Sequence, residues 1–107
     1  MGDDPYDDEG KASEISIVSD VKVQEPSLYR VLMHNDDYTP MDFVIDVLQS
    51  VFHHKETNAK KIMLEVHNNG IAVCGVYSYD IAETKVNVVA NLATSQEFPL
   101  RCSLERV

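Results

Sequence analysis

Residues 28–34 alternate: Tyr29, Val31 and Met33 take one parity, and Leu28, Arg30, Leu32 and His34 the other. A period of two predicts a strand. From Met41 the period lengthens. Val44, Val47/Leu48 and Val51/Phe52 recur every three to four residues, with Asp42, Asp46 and Gln49 elsewhere, which predicts an amphipathic helix over 41–52. Its start carries a capping pattern. Thr39 can cap, Pro40 suits the first helical position, Asp42 completes T-x-x-D, and Tyr38 and Phe43 stand where a hydrophobic staple would form.

A second apolar stripe, Ala59, Ile62, Met63 and Val66, predicts a helix over roughly 56–68, stopped by Asn69-Gly70. The run IAVCGVY at 71–77 reads as a strand with room for a bulge at its glycine. Asp80 with Glu83 caps a third helix, whose stripe is Ala82, Val86, Val89 and Ala93. After Pro99, Leu100, Cys102 and Leu104 alternate with Arg101, Ser103 and Glu105 as a last strand. The order β-α-α-β-α-β predicts an α+β fold, a small α/β sandwich with three helices on one face of a three-stranded sheet. Residues 1–25 read as a flexible acidic tail ahead of one core domain over 26–107, with Pro26 at the boundary. The apolar IxIV at 15–18 leaves a short strand or docking segment open within the tail.

Composition narrows the function classes. The net charge is −9, and residues 1–25 carry −6 of it, with eight acids against two lysines. No basic stripe is present to contact phosphates or an anionic membrane surface, so neither nucleic acid nor membrane is an expected partner. No apolar run approaches the roughly 18 residues of a membrane span, and the acidic first residues fit neither a secretory signal nor an organelle transit peptide. Cys74 and Cys102 stand singly in apolar runs, as buried free thiols of a reducing cytoplasm would; a disulfide requires that their strands meet.

The candidate chemistry centres on Asn35-Asp36-Asp37. These residues can serve simply as turns that exit a strand. A calcium loop would need oxygen ligands at alternating positions and a closing Glu, which this stretch lacks. A paired-carboxylate hydrolase would need a second acid from another element. His53-His54 fits the end of the first helix, where an imidazolium complements the dipole. His67 shares a helix face with Met63, beside Val66. No nucleophile elbow and no phosphate-binding glycine loop occurs. On the residues alone, local punctuation, a structural module and a small hydrolase all remain open.

Four stretches, SLYRVLMHNDDYTPMDFVIDVLQSVF, KKIMLEVHNNGIAVCGVY, DIAETKV and FPLRCSLE, together resemble the ClpS family of bacterial N-degron adaptors, in order over residues 26–107. The resemblance implies a three-stranded antiparallel sheet with three helices, no enzymatic activity, no cofactor and no metal. It implies a cytoplasmic monomer that binds proteins beginning with Phe, Tyr, Trp or Leu and delivers them to the AAA+ unfoldase ClpA for degradation by ClpP. By matching motif, Asn35, Asp37 and His67 would hold the substrate's α-amino group, with Asp36 helping through the adjoining backbone and wall. Thr39, Met41, Val44, Met63, Val66 and Leu100 would line the side-chain pocket. Asp80, Glu83, Thr84 and Lys85 would face the unfoldase. The sequence departs from the family at His34, which could tune the pocket's polarity, at Lys55, which points to a second helix starting at Thr57, and at Phe98 and Arg101.

The chemistry of such a ligand agrees with these residue types. An α-ammonium donates three hydrogen bonds and calls for amide, carboxylate and imidazole acceptors. A bulky apolar side chain calls for adaptable apolar walls, which methionine provides. Two or three charged hydrogen bonds at roughly 1.5–3 kcal/mol each, with roughly 1.5–3 kcal/mol from side-chain burial, approach the roughly 8 kcal/mol of micromolar binding before association costs.

Overall fold

The computed structural model describes residues 27–107. The expected acidic tail, its IxIV patch and the boundary at Pro26 lie outside these residues. The elements are β1 (Leu28–His34), α1 (Met41–Ser50), α2 (Glu56–Asn69), β2 (Ile71–Ser78), α3 (Tyr79–Ser95) and β3 (Arg101–Arg106). β1 is the central strand, antiparallel to β2 on one side and to β3 on the other. The expected element order and sheet are thus present.

Alternation along β1 sends Val31 and Met33 into the core. They meet Val44, Val47 and Leu48 of α1, Ala59, Ile62, Met63 and Val66 of α2, and Ala82, Val89 and Ala93 of α3. The helices therefore cover one face of the sheet, and among the described residues nothing covers the other. On β2, Ala72 and Cys74 point inward, and the register against β1 then shifts by one residue, between the pairs Val31–Gly75 and Leu32–Val73. This bulge hands the inward parity from Ala72 and Cys74 to Gly75 and Tyr77. The Tyr77 ring folds back over Gly75, where an added Cβ would sit 2.6 Å from Cζ.

Several local expectations change. Thr39 does not cap α1; the N-cap is Pro40, with no side-chain cap hydrogen bond. Tyr38 is 80% exposed and forms no staple, while Phe43 packs edge-on against Phe98, with ring centroids 5.0 Å apart. The second helix starts at Glu56 rather than Thr57. The N-cap of α3 is Ser78, without a side-chain bond, and Glu83 instead accepts from the Tyr79 hydroxyl at 3.2 Å.

α1 ends before the histidines. His53 turns the chain at φ 61°, and His54 ties the turn to the bulge: its Nε2 donates to the Cys74 carbonyl at 2.6 Å, and its Nδ1 accepts from Asn58 at 2.8 Å. The carbonyl can only accept, so Nε2 carries a proton, and His54 has a structural role in place of a dipole contact. Cys74 and Cys102 stand on the two strands that flank β1, with both side chains buried in the core. Both thiols are free. Hydrogen bonding to Cys102, and then burial, push the Cys74 thiol far above its ordinary value, so it is no nucleophile.

Candidate functional site

The C-terminal ends of β1 and α2 meet because α2 stops abruptly. Gly70 closes the helix in the left-handed region at φ 86°, its N–H bonded to the Val66 carbonyl at 2.9 Å. The chain turns at once into β2, with Ile71 opposite His34. The Asn35 N–H then donates to the Gly70 carbonyl at 2.9 Å. The loop after β1 is thereby held beside the last turn of α2, and the start of α1 is drawn over both.

Between them lies a cavity of about 390 Å³, lined by Asn35, Asp36, Asp37, Tyr38, Thr39, Pro40, Met41, Val44, Met63, Val66 and His67. This is within the roughly 300–1,000 Å³ of small-ligand pockets. Its composition is divided. Val44, Met63 and Val66 form an apolar floor and are 7%, 8% and 3% exposed, while Met41 stands at the mouth, 50% exposed. The polar side chains of Asn35, Asp37 and His67 gather at the rim, exposed to solvent.

Within that rim the two neighbouring aspartates do different work. Asp36 is spent on the loop. Its Oδ1 accepts from the backbone N–H groups of Tyr38 (2.8 Å) and Thr39 (2.7 Å), and its Oδ2 accepts from the Thr39 hydroxyl (2.8 Å). Burial pushes the Asp36 carboxyl up, but these three bonds together outweigh it and leave the group below the ordinary carboxylate range. Asp36 thus braces the loop ahead of α1, and Thr39, which the sequence pattern assigns to the helix cap, donates to it instead. Among the described residues, neither the Asp37 carboxylate nor the Asn35 amide has a side-chain partner. The loop leaves open acceptors at the mouth of an apolar cavity.

Other candidates fall elsewhere. Leu100 is 4% exposed and does not line the cavity; placed just before β3, it packs in the core. Tyr38 and Pro40, read from the sequence only as parts of the helix start, also line the cavity. His34 points to the open face of the sheet, where Nε2 lies 2.6 Å from Ser103 Oγ, so it does not tune the cavity. Burial, and then the neighbouring Arg101 charge, lower its pKa. Asp80, Glu83 and Thr84 are exposed on the first turns of α3. Lys85 reaches inward instead: its Nζ donates to the Val51 carbonyl at 2.7 Å and lies over the Tyr77 and Phe52 rings at 5.3 and 5.9 Å. It closes the C-terminal end of α1 against α3. Among the described residues no three His, Cys, Asp or Glu side chains converge as a metal site would require, and no helix is long and apolar enough to cross a membrane.

Comparison with known proteins bears on this arrangement. Residues 24–103 match the family model of the ATP-dependent Clp protease adaptor protein ClpS. The ATP-dependent Clp protease adapter protein ClpS of Desulfotalea psychrophila is 51% identical over 94 residues, 88% of this chain and 92% of that protein. That of Caulobacter vibrioides is 53% identical over 93 residues, 85% of each. Among solved structures, Agrobacterium tumefaciens ClpS2 bound to L-phenylalaninamide superposes with a TM-score of 0.75 at 41% identity, over 78% of this chain and all of that one.

Proposed function

The chain belongs to the ClpS family of Clp protease adaptors, and from that premise we propose that its cavity binds the first residue of proteins marked for degradation. Family membership makes it an adaptor of a Clp protease and not an enzyme. The observation that carries the finer reading is the division of the cavity, with open acceptors of Asn35 and Asp37 at the rim and buried Val44, Met63 and Val66 at the floor. Such a site suits a ligand with a cation at one end and a bulky apolar group one or two bonds away. L-phenylalaninamide, bound by the Agrobacterium relative, has that form: a free α-amine, a benzyl side chain and a carboxamide where the peptide would continue.

Each group then has a role. The ammonium donates to the Asn35 amide oxygen, the Asp37 carboxylate and an imidazole nitrogen of His67. Asp36 holds the loop that presents them. The side chain, Phe, Tyr, Trp or Leu, enters between Met41 and Met63 and rests on Val44 and Val66, displacing water from apolar surface. Neither half of the site suffices alone, which makes recognition a two-part code of free amine plus apolar side chain.

Delivery requires a second surface. Asp80, Glu83 and Thr84, exposed on α3, are proposed to face the N-terminal domain of an unfoldase such as ClpA in the cytoplasm, with Lys85 bracing that helix from behind. A reconstituted Clp unfoldase and peptidase with a fluorescent reporter tests this reading. The protein should speed loss of fluorescence for a reporter beginning with Phe and leave one beginning with Ser unchanged. Equal acceleration of both would overturn it.

A further inference from the structure

The open face of the sheet presents Leu28, Leu32, Ile71, Val73 and Val76 as one apolar band over β1 and β2. Four of them are 41–48% exposed, and no described residue covers them. Beside the band lie Arg30 and Arg101 against a single acid, Glu105, which is paired with Arg30 at 3.3 Å. Two arginines against one acid leave this face at a net charge of about +1 in a chain of net charge −9.

The chain itself carries a segment suited to it. From Ile15 to Val23 the odd positions are Ile, Ile, Ser, Val and Val, and the even positions are Ser16, Val18, Asp20 and Lys22. A period of two with one apolar side is the pattern of a strand that buries one face. The family match begins at residue 24 and leaves this segment out. We propose that residues 15–23 lie along the open face of the sheet, with Ile15, Ile17, Val21 and Val23 turned onto the apolar band.

Length and position permit this. The described chain begins at Ser27, beside Leu28 at one corner of the band. From Pro26 back to Ile15 the chain can span roughly 35 Å, against roughly 23 Å for the seven residues of β1. Charge selects this face over the other exposed apolar strip, Ile81, Val88 and Leu92 on α3. That strip adjoins Asp80 and Glu83 and would repel a segment flanked by Glu14 and Glu25. A second copy of the chain is the poorer occupant, since two molecules of charge −9 repel. Coverage would shield from other chains an apolar face next to an edge strand.

A nitroxide on Asp20→Cys tests the placement in the full chain, since the native Cys74 and Cys102 are buried and escape labelling. The methyl resonances of Leu28, Ile71, Val73 and Val76 should lose most of their intensity, while those of Val44, Val66 and Ile81 keep theirs. Adding Ile17→Asp and Val21→Asp to the labelled chain should restore the lost signals. Uniform weak broadening, broadening centred on Ile81 and Val88, or broadening of an unlabelled copy mixed with labelled chain would each overturn the proposal.

Discussion

At the rim of the cavity, Asn35, Asp37 and His67 are exposed, and the first two hold no side-chain partner among the described residues. At its floor, Val44, Met63 and Val66 belong to the same core that fastens α1 and α2 to the sheet. The rim can be altered with little consequence for folding, because its side chains contribute no packing. The floor cannot, because each methyl that would touch a ligand also touches the core. Chemical selectivity for the amine is therefore adjustable, whereas the shape of the apolar pocket is constrained by stability.

Substitutions in the two halves should separate accordingly. Asp37→Ala removes one charged acceptor and should weaken binding of a Phe-first peptide by about 10- to 100-fold, measured by titration, with no shift in melting temperature. A marked fall in melting temperature would show that Asp37 also holds the fold. Val66→Ala should act on both quantities. Loss of two buried methyls costs about 2 kcal/mol of stability, or about 10 °C in a domain of this size, together with weaker binding. Weaker binding at unchanged stability would detach the floor from the core.

Asp36→Asn should give the smallest effect and the most discriminating one. It keeps the shape of the side chain but loses the charge and the oxygen that accepts the Thr39 hydroxyl, at a cost of about 0.5–1.5 kcal/mol, that of one hydrogen bond. The Asp36 carboxyl lies below its ordinary value in the folded chain. The stability it contributes is therefore fully present above the ordinary carboxylate range and is lost as pH falls through the lowered folded value. The variant should be less stable at neutral pH and should lose less on acidification, as read from urea midpoints across pH. Parallel pH profiles for the variant and the parent would contradict that assignment.

Much of this was legible in the sequence because periodicity reports burial directly. The alternation of Val31 and Met33 and the stripes of α1, α2 and α3 fixed the elements, and Gly70 after Asn69 marked the turn that joins the rim to α2. Local chemistry was less legible where two residues could do one job. The Thr39 hydroxyl suits a helix cap by pattern, but the Asp36 carboxylate, which accepts several N–H and O–H bonds at once, takes it as a donor and leaves α1 without a side-chain cap. Leu100 and His34 were tied to the pocket by resemblance of motif, which matches positions along the chain and not side-chain directions; Leu100 packs in the core and His34 faces the other side of the sheet. The inward reach of Lys85 depends on Val51, which is 34 residues away, and no local pattern encodes such a contact.

The central claim is that one cavity reads an amine and an apolar side chain together. Fluorescence anisotropy with two labelled peptides of the same sequence beginning with Phe, one with a free α-amine and one acetylated, tests it most directly. Acetylation removes the charge and two of the three donors, so the free peptide should bind in the micromolar range or tighter and the acetylated one should show no saturable binding. Equal affinity for the two would contradict the account.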